Sequence, residues 1–442
     1  MSIAILVISI LILIFLSIKI KLHPFFSLIL VALIYGILSN ITITKTLTII
    51  KDAMGLAVTN LGLIVIIGTV TGGLLEVSGA TDVIAKKIVY ITGTKFAPLG
   101  LALTGLIVSI PVFCSSAFLL LAPLAKKISK EANINFMTMI ISLSMGCLIP
   151  TTFIPPTPGP LAAINILSLN IGQVLFFSIL FSVPLIIVTY FCSVFLGKKY
   201  PFTKDDNVTP EGTNEKTRFG FLLAIAPILL PVILILSKTF FIDLLRKSSF
   251  SYSLLQLLGT TEISLSIGLL ISLMLCWMTS KDQTIWQFDG VFGASLRSGA
   301  QILLIICAGS AFGAVLQATE LKTVLSTFMA SSSLGLLTPF LIGAVFRTAI
   351  GSITVSLLTA TSIIAPAISA MGYNSFFGTI LVFLACASGA FMVFHGNDDM
   401  FWSVATSTNI DLKVAYKVLP ITSIIISISS FLFVLILSFI LL

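Results

Sequence analysis

Five ionisable side chains fall in or at the ends of otherwise apolar stretches of this sequence: Glu76, Arg347, His395, Asp398 and Asp399. A charge at membrane depth is costly, so each is a candidate for holding an ion or a ligand. Arg347 sits in Gly343-Ala-Val-Phe-Arg-Thr-Ala-Ile-Gly-Ser-Ile-Thr354. Its planar guanidinium matches a carboxylate, which leaves two readings open: a ligand for a carboxylate substrate, or an internal ion pair with Asp398. His395 and Asp398 share the short stretch His395-Gly-Asn397-Asp398. An imidazole beside a carboxylate, both able to take up and release a proton, reads as an ion-coupling pair. Glu76 falls at the end of an apolar run and reads as a solvated cap, and His23-Pro24 reads as interfacial.

Other segments carry geometry rather than charge. Pro155-Pro-Thr-Pro-Gly-Pro160 cannot continue a helix, because proline removes donors and bars the preceding residue from helical angles. Thr151, Thr152 and Thr157 in and beside this break, with its freed carbonyls, are candidates to face a hydrated substrate. Phe113-Cys-Ser115-Ser116 and the run Gly351, Ser352, Thr354 are small, polar interruptions whose helix-end N–H groups suit an anion. Asn397 completes the substrate-binding candidates. No HExxH, GxSG or GxxxxGK[ST] pattern occurs, so a protease and an ATP-driven pump are not supported. The six cysteines show no CxxC spacing, so neither zinc nor redox chemistry is expected, and no cofactor. These residue types suit the binding of a solute, and an enzyme is not expected.

The elements that must position them are membrane helices. Of the 442 residues, 57% are hydrophobic and 9% charged, against about 25% charged in soluble domains. The net charge of +8 is spread over short loops, which argues against nucleic acid as a partner. Uninterrupted spans are expected at 2–20, 24–39, 56–75, 172–197, 219–241, 262–279, 298–316 and 418–441. Stretches 97–124 and 334–370 read as re-entrant hairpins, and 134–170 and 374–410 as spans broken at Pro150–Pro160 and His395–Asp399. Such irregular backbone survives in a membrane only where protein covers it or water reaches it. The fold class is therefore an all-α polytopic membrane protein, with about ten spanning helices plus two re-entrant hairpins. With the N-terminus outside, 17 of the 24 Lys and Arg fall on the cytoplasmic side and six outside, as the positive-inside rule requires.

The halves also resemble each other. Gly68-Thr-Val-Thr-Gly-Gly-Leu-Leu-Glu-Val-Ser78 aligns with Gly309-Ser-Ala-Phe-Gly-Ala-Val-Leu-Gln-Ala-Thr319, and Ala122-Pro123 with Ala365-Pro366. An odd number of crossings per half makes the second copy inverted: 1–197 is the first repeat, 198–218 a cytoplasmic linker, and 219–442 the second repeat. Inverted repeats with broken helices are a signature of secondary transporters, and argue for alternating access over an open channel.

Four motifs together make the chain resemble the gluconate permease family of proton-coupled sugar-acid symporters. They are Leu74-Leu-Glu-Val-Ser-Gly79, Phe153-Ile-Pro-Pro-Thr-Pro-Gly-Pro160, Arg347-Thr-Ala-Ile-Gly-Ser-Ile-Thr-Val355, and His395-Gly-Asn-Asp398 with Phe401-Trp402. The resemblance covers nearly the whole chain. It implies a multi-pass protein of the bacterial plasma membrane that imports gluconate or a related sugar acid by cation symport, the cation being a proton. It also implies a homodimer with an elevator-like motion. The partners are then membrane lipid, a small anionic substrate and a coupling cation. Members commonly carry an acidic residue where this chain has Ser115, and histidines where it has Thr151 and Thr157. A sodium-coupled carrier of another small hydroxycarboxylate, or of a D-serine-like substrate, is the alternative.

The charge distribution generates a direct test. Single cysteines introduced at Asn207 and Lys413 should react with an impermeant maleimide only from the cytoplasm, and one at Lys247 only from outside. Labelling of positions 207 and 247 from the same face would sink the inverted arrangement.

Overall fold

The computed structural model describes residues 2–202, 219–247, 249–279, 283–319, 334–396 and 398–442, and every regular element among them is helical. Most of the expected linker 198–218, and Asn397, lie outside those residues. The first half contains α1 (Ser2–Ile18), α2 (Pro24–Leu38), α3 (Ile43–Val77), α4 (Ala80–Thr92), α5 (Ala97–Val108), α6 (Cys114–Glu131), α7 (Phe136–Phe153), α8 (Pro158–Ile166) and α9 (Ile171–Lys199). The second contains α10 (Phe221–Phe241), α11 (Phe250–Leu258), α12 (Thr261–Thr279), α13 (Val291–Gln317), α14 (Leu337–Ile350), α15 (Ile353–Ile364), α16 (Phe376–Ala390), α17 (Asp399–Thr408) and α18 (Leu412–Leu441).

Seven of the described helices, with α7 and α8 counted as one, are long and apolar enough to cross a bilayer, and the α4–α5 pair, bent by 112°, makes eight. Local chemistry sets the ends. Pro24 opens α2, where its missing N–H costs nothing, and His23 Nδ1 accepts the Phe25 N–H at 3.3 Å. Asn135 caps α7 and Asn170 caps α9 through their side-chain oxygens. Three expected spans prove to be parts of helices that start earlier: 56–75 lies within α3, 298–316 within α13, and 418–441 within α18. Hydropathy falls at Lys45, Lys51 and Asp52, and again at Ser295, Arg297 and Ser298, but none of these residues stops a helix.

The broken span α7–α8 lies at the centre: 94% of its apolar window is buried, against at most 56% in the other long helices. Its break comprises Ile154 to Thr157 and includes a cis peptide between Pro155 and Pro156. Thr151 and Thr152 therefore belong to the last turn of α7 rather than to unwound backbone. α15 and α16 are as enclosed, with every residue from Val355 to Ile364 and from Ile380 to Ala390 buried.

Two helix–turn–helix pairs, α5–α6 and α14–α15, are fixed to the core in the same way. The first limb of each lies against the first half of the broken span in its own half of the chain, α5 on α7 and α14 on α16. Glycine makes both contacts backbone to backbone. A Cβ on Gly146 would overlap the Ala102 carbonyl oxygen, and one on Gly389 would overlap that of Phe340. Small residues at helix crossings give dispersion contact where lipid offers no hydrophobic drive. The second limbs cross over to the other half: α15 packs on α8, and α6 packs on α17.

This contact can be tested. Gly389→Val forces the α14 and α16 backbones apart, and overpacking of this kind costs about 1–3 kcal/mol. A lower melting temperature in detergent is the expected result, with a much smaller effect from a valine at Gly55, where a Cβ meets nothing.

Candidate functional site

The turn of each helix pair and the break of each broken span come together at the centre of the molecule. Gly159, after the first break, lies between the Thr151 carbonyl and Thr354 of α15. Cys114, at the start of α6, neighbours Thr151 from the last turn of α7, just before the first break, and Asp398 from the second break. The sequence reading missed Cys114, whose thiol bears no motif and is placed only by the crossing of α6 over α17.

On the second-half side the site is an ion pair. Arg347, in the last turn of α14, is 1% exposed, and its Nη2 lies 2.5 Å from Asp398 Oδ2. Its Nη1 donates to the Gly351 carbonyl, while Nε has no partner among the described residues. Gly351 itself ends α14 in the left-handed region at φ +85° and returns its N–H to the Arg347 carbonyl at 3.0 Å. Only glycine takes that conformation without a steric penalty. Asp398 is equally committed. It caps α17, with Oδ1 accepting the Met400 N–H at 2.8 Å, while its other oxygen faces Arg347. Of the two readings left open by sequence, the structure shows the internal pair.

A second tie runs parallel to the first, His395 Nε2 to the Thr348 carbonyl at 3.0 Å. The break is held further by Trp402 Nε1, which donates to the Gly396 carbonyl at 2.9 Å, and by the Phe394 N–H, which donates to Ser423 Oγ at 2.9 Å. Ser352 caps α15, its oxygen accepting the Val355 N–H at 3.4 Å. Asp399 is the exposed first residue of α17.

On the first-half side the site is cavity wall. One cavity is lined by Gly68, Thr69, the turn from Ser109 to Phe113, Thr151, Pro156, Thr157 and Pro158, and by Pro227, Ile228 and Pro231 of α10. A second, of about 260 Å³, is lined by Thr69, Gly72, Gly73, Glu76, Ser116, Ser295 and Ser298. Pro111, Val112 and Phe113 border both, so the turn of the first helix pair is the partition between them. Thr151 lines the first cavity, and its Oγ donates to the Cys147 carbonyl at 3.1 Å. Thr157 is buried, and its hydroxyl closes the break onto the Pro150 carbonyl at 2.8 Å. Thr152 is fully buried, donates to the Leu148 carbonyl at 2.8 Å, and lines neither cavity. Ser116 lines the second cavity; Ser115 sits beside it in the first turn of α6. Arg347, His395, Asp398, Gly351, Ser352 and Thr354 line neither.

The four half-helices that start at this centre differ in one respect. α15 and α17 are capped by their own side chains, Ser352 and Asp398, whereas α6 and α8 have no side-chain cap.

A family profile described as GntP family permease matches residues 1–440. The chain belongs to the GntP permease family. A permease of Haemophilus influenzae is 29% identical over 419 residues, covering 90% of this chain and 84% of that one. The gluconate permease of Pseudomonas aeruginosa is 28% identical over 433 residues, covering 96% and 94%. Among solved structures, the Neisseria gonorrhoeae MtrF efflux pump aligns with a TM-score of 0.67 at 12% identity, over 95% of this chain and 96% of that one, a likeness of fold. This GntP-family permease is thus a polytopic membrane transporter and not an enzyme.

The ion pair of the permease predicts its own mutant cycle. Arg347→Ala or Asp398→Ala alone strands a buried charge, a loss of about 3–5 kcal/mol. The double variant should recover much of that stability, as read by thermal unfolding in detergent. Additive losses in the double variant would show that the pair is not coupled.

Proposed function

We propose that this permease imports gluconate or a closely related sugar acid by cation symport across the bacterial inner membrane. The observation that carries the reading is the unequal capping at the centre. The N-terminus of α6, where the N-cap residue Phe113 offers no side-chain oxygen, presents the positive end of an 18-residue helix, which favours a carboxylate. Thr151 on the first cavity and Ser116 on the second place hydroxyls on either side of that helix end, suited to a polyhydroxy chain. Relatives that carry the name gluconate permease supply the substrate class.

Arg347 then acts on substrate indirectly. Asp398 neighbours the start of α6, and its charge would repel an incoming carboxylate; Arg347 neutralises it. With both Asp398 oxygens engaged and His395 Nε2 tied to the Thr348 carbonyl, we read this pair as structural support for the break rather than as the seat of the coupling cation. We read residues 1–197 and 219–442 as inverted repeats, supported by the matching helix-pair contacts in the two halves. A homodimer in which the crossed helices move together is the assembly this reading expects.

Counterflow in proteoliposomes with a panel of labelled acids tests the substrate class. Gluconate should exchange and glucitol, its uncharged reduced counterpart, should not; equal exchange of glucitol would refute carboxylate recognition. Thr151→Val removes one neutral hydrogen bond and should weaken apparent gluconate affinity by about 2- to 10-fold. Imposing a proton or a sodium gradient in the same vesicles separates proton symport from the sodium-coupled alternative.

A further inference from the structure

The second cavity contains a carboxylate that substrate recognition does not use. Glu76 lies in the last turn of α3, half-buried, where the sequence alone suggests a solvated cap. The structure places it on the cavity wall with the hydroxyls of Thr69, Ser116, Ser295 and Ser298. Its carboxylate has no hydrogen bond or ion pair with any described residue. Gly72 and Gly73 create this arrangement. A Cβ at Gly72 would overlap the Pro111 carbonyl oxygen, and one at Gly73 would overlap Ser295 Oγ, so α3 meets both the α5–α6 turn and α13 at this level.

No basic side chain lines the cavity. The charged groups on neighbouring elements are directed elsewhere. Lys86 and Lys87 of α4 are exposed, and Asp82 is coupled to Lys86. Arg297 of α13 faces Asp289 at 3.7 Å and the Phe288 carbonyl at 3.0 Å. Glu262 of α12 lies beside Leu265, which packs near Leu61, well along α3 from Glu76. Cys114 of α6 turns to Thr151 and Asp398.

We propose that Glu76 is a binding site for the coupling cation, with the hydroxyls of Ser116, Ser295 and Ser298 as further oxygen donors. A partly desolvated carboxylate with no counter-ion gains most from a bound cation. One carboxylate among neutral hydroxyls is a hard-oxygen set suited to sodium, and the carboxylate alone suffices for a proton. Ser116 belongs to the first turn of α6, the same turn that receives the substrate carboxylate. Cation and anion therefore bind to one helix end from neighbouring positions, and their attraction makes each favour the other, a reciprocal coupling. The inference rests on the symport reading and specifies where the cation sits.

The experiment measures apparent gluconate affinity and uphill uptake in proteoliposomes, as a function of pH in choline chloride and of sodium chloride at fixed pH. Glu76→Gln should abolish the cation dependence of affinity and the uphill accumulation. Glu76→Asp, which keeps the carboxylate, should retain both with a half-saturating cation concentration raised about tenfold. Monodisperse elution and a gluconate-dependent rise in melting temperature establish that each variant is folded. Ser298→Ala identifies the ion: a sodium site should weaken by about 2- to 10-fold on losing a hydroxyl, whereas a proton site should not respond. Full wild-type cation dependence in Glu76→Gln overturns the assignment, and where Glu76→Gln does not fold, an unchanged half-saturation in Glu76→Asp does the same. A wild-type protein with no cation dependence overturns symport itself, a result distinct from either.

Discussion

A guanidinium that is 1% exposed inside a membrane protein persists only with a counter-charge and an acceptor fixed around it, and Arg347 finds these in two places beyond its own helix. Asp398 belongs to the second break, Gly351 to the turn of the second helix pair, and Arg347 itself to the first limb of that pair. The pair thus holds α14, the Gly351 turn and α17 in register, with the His395 bond to Thr348 as a parallel tie. Because Asp398 also caps α17, the same carboxylate starts a helix and neutralises a cation. α17 carries α6, so the placement of the uncapped helix end depends on this interaction as well.

That dependence divides the centre into two unlike parts. In the second half, Arg347 and Asp398 offset each other and the helix ends are capped by their own side chains, which leaves a support. In the first half, helix ends are uncapped and hydroxyls face open space, which leaves groups that a solute can complete. Two halves with matching helix contacts are therefore not chemically equivalent. The substrate and cation readings both place their ligands on the first-half side, at Thr151, at Ser116 and at Glu76.

Much of this was legible in the residues. Proline density marked the first break, Gly351-Ser352 marked the second turn, and the only partners at hand for an intramembrane arginine included Asp398. The orientation of hydroxyls was not legible. Thr151 and Thr152 are neighbours in one helix, and in a span that is apolar on every side no periodicity distinguishes the face that meets a cavity from the face that meets protein. Thr152 accordingly turns inward to Leu148 while Thr151 reaches the opening. The cavity beside Glu76 was not legible for a related reason. The position of Glu76 at a helix end is local, but the cavity around it depends on α13, whose Ser295 and Ser298 lie more than two hundred residues away in the chain. The starts of α3 and α13 were set too late because loss of hydropathy was taken for loss of helix.

The glycine contacts at Gly146 and Gly389 have a mechanical consequence. Where two helices touch through carbonyl and Cα, no side chain remains to change rotamer, so neither sliding nor rolling has a low-energy path. α5 with α7, and α14 with α16, are stiff blocks, and deformation must concentrate in the short non-helical turns between them: Ser109 to Phe113, Ile154 to Thr157, and Gly351-Ser352. These are the same few residues that border the cavities and the ion pair. The compliant joints of the molecule and its chemically active groups therefore coincide, so a ligand that completes the chemistry also sets the angle of the joint.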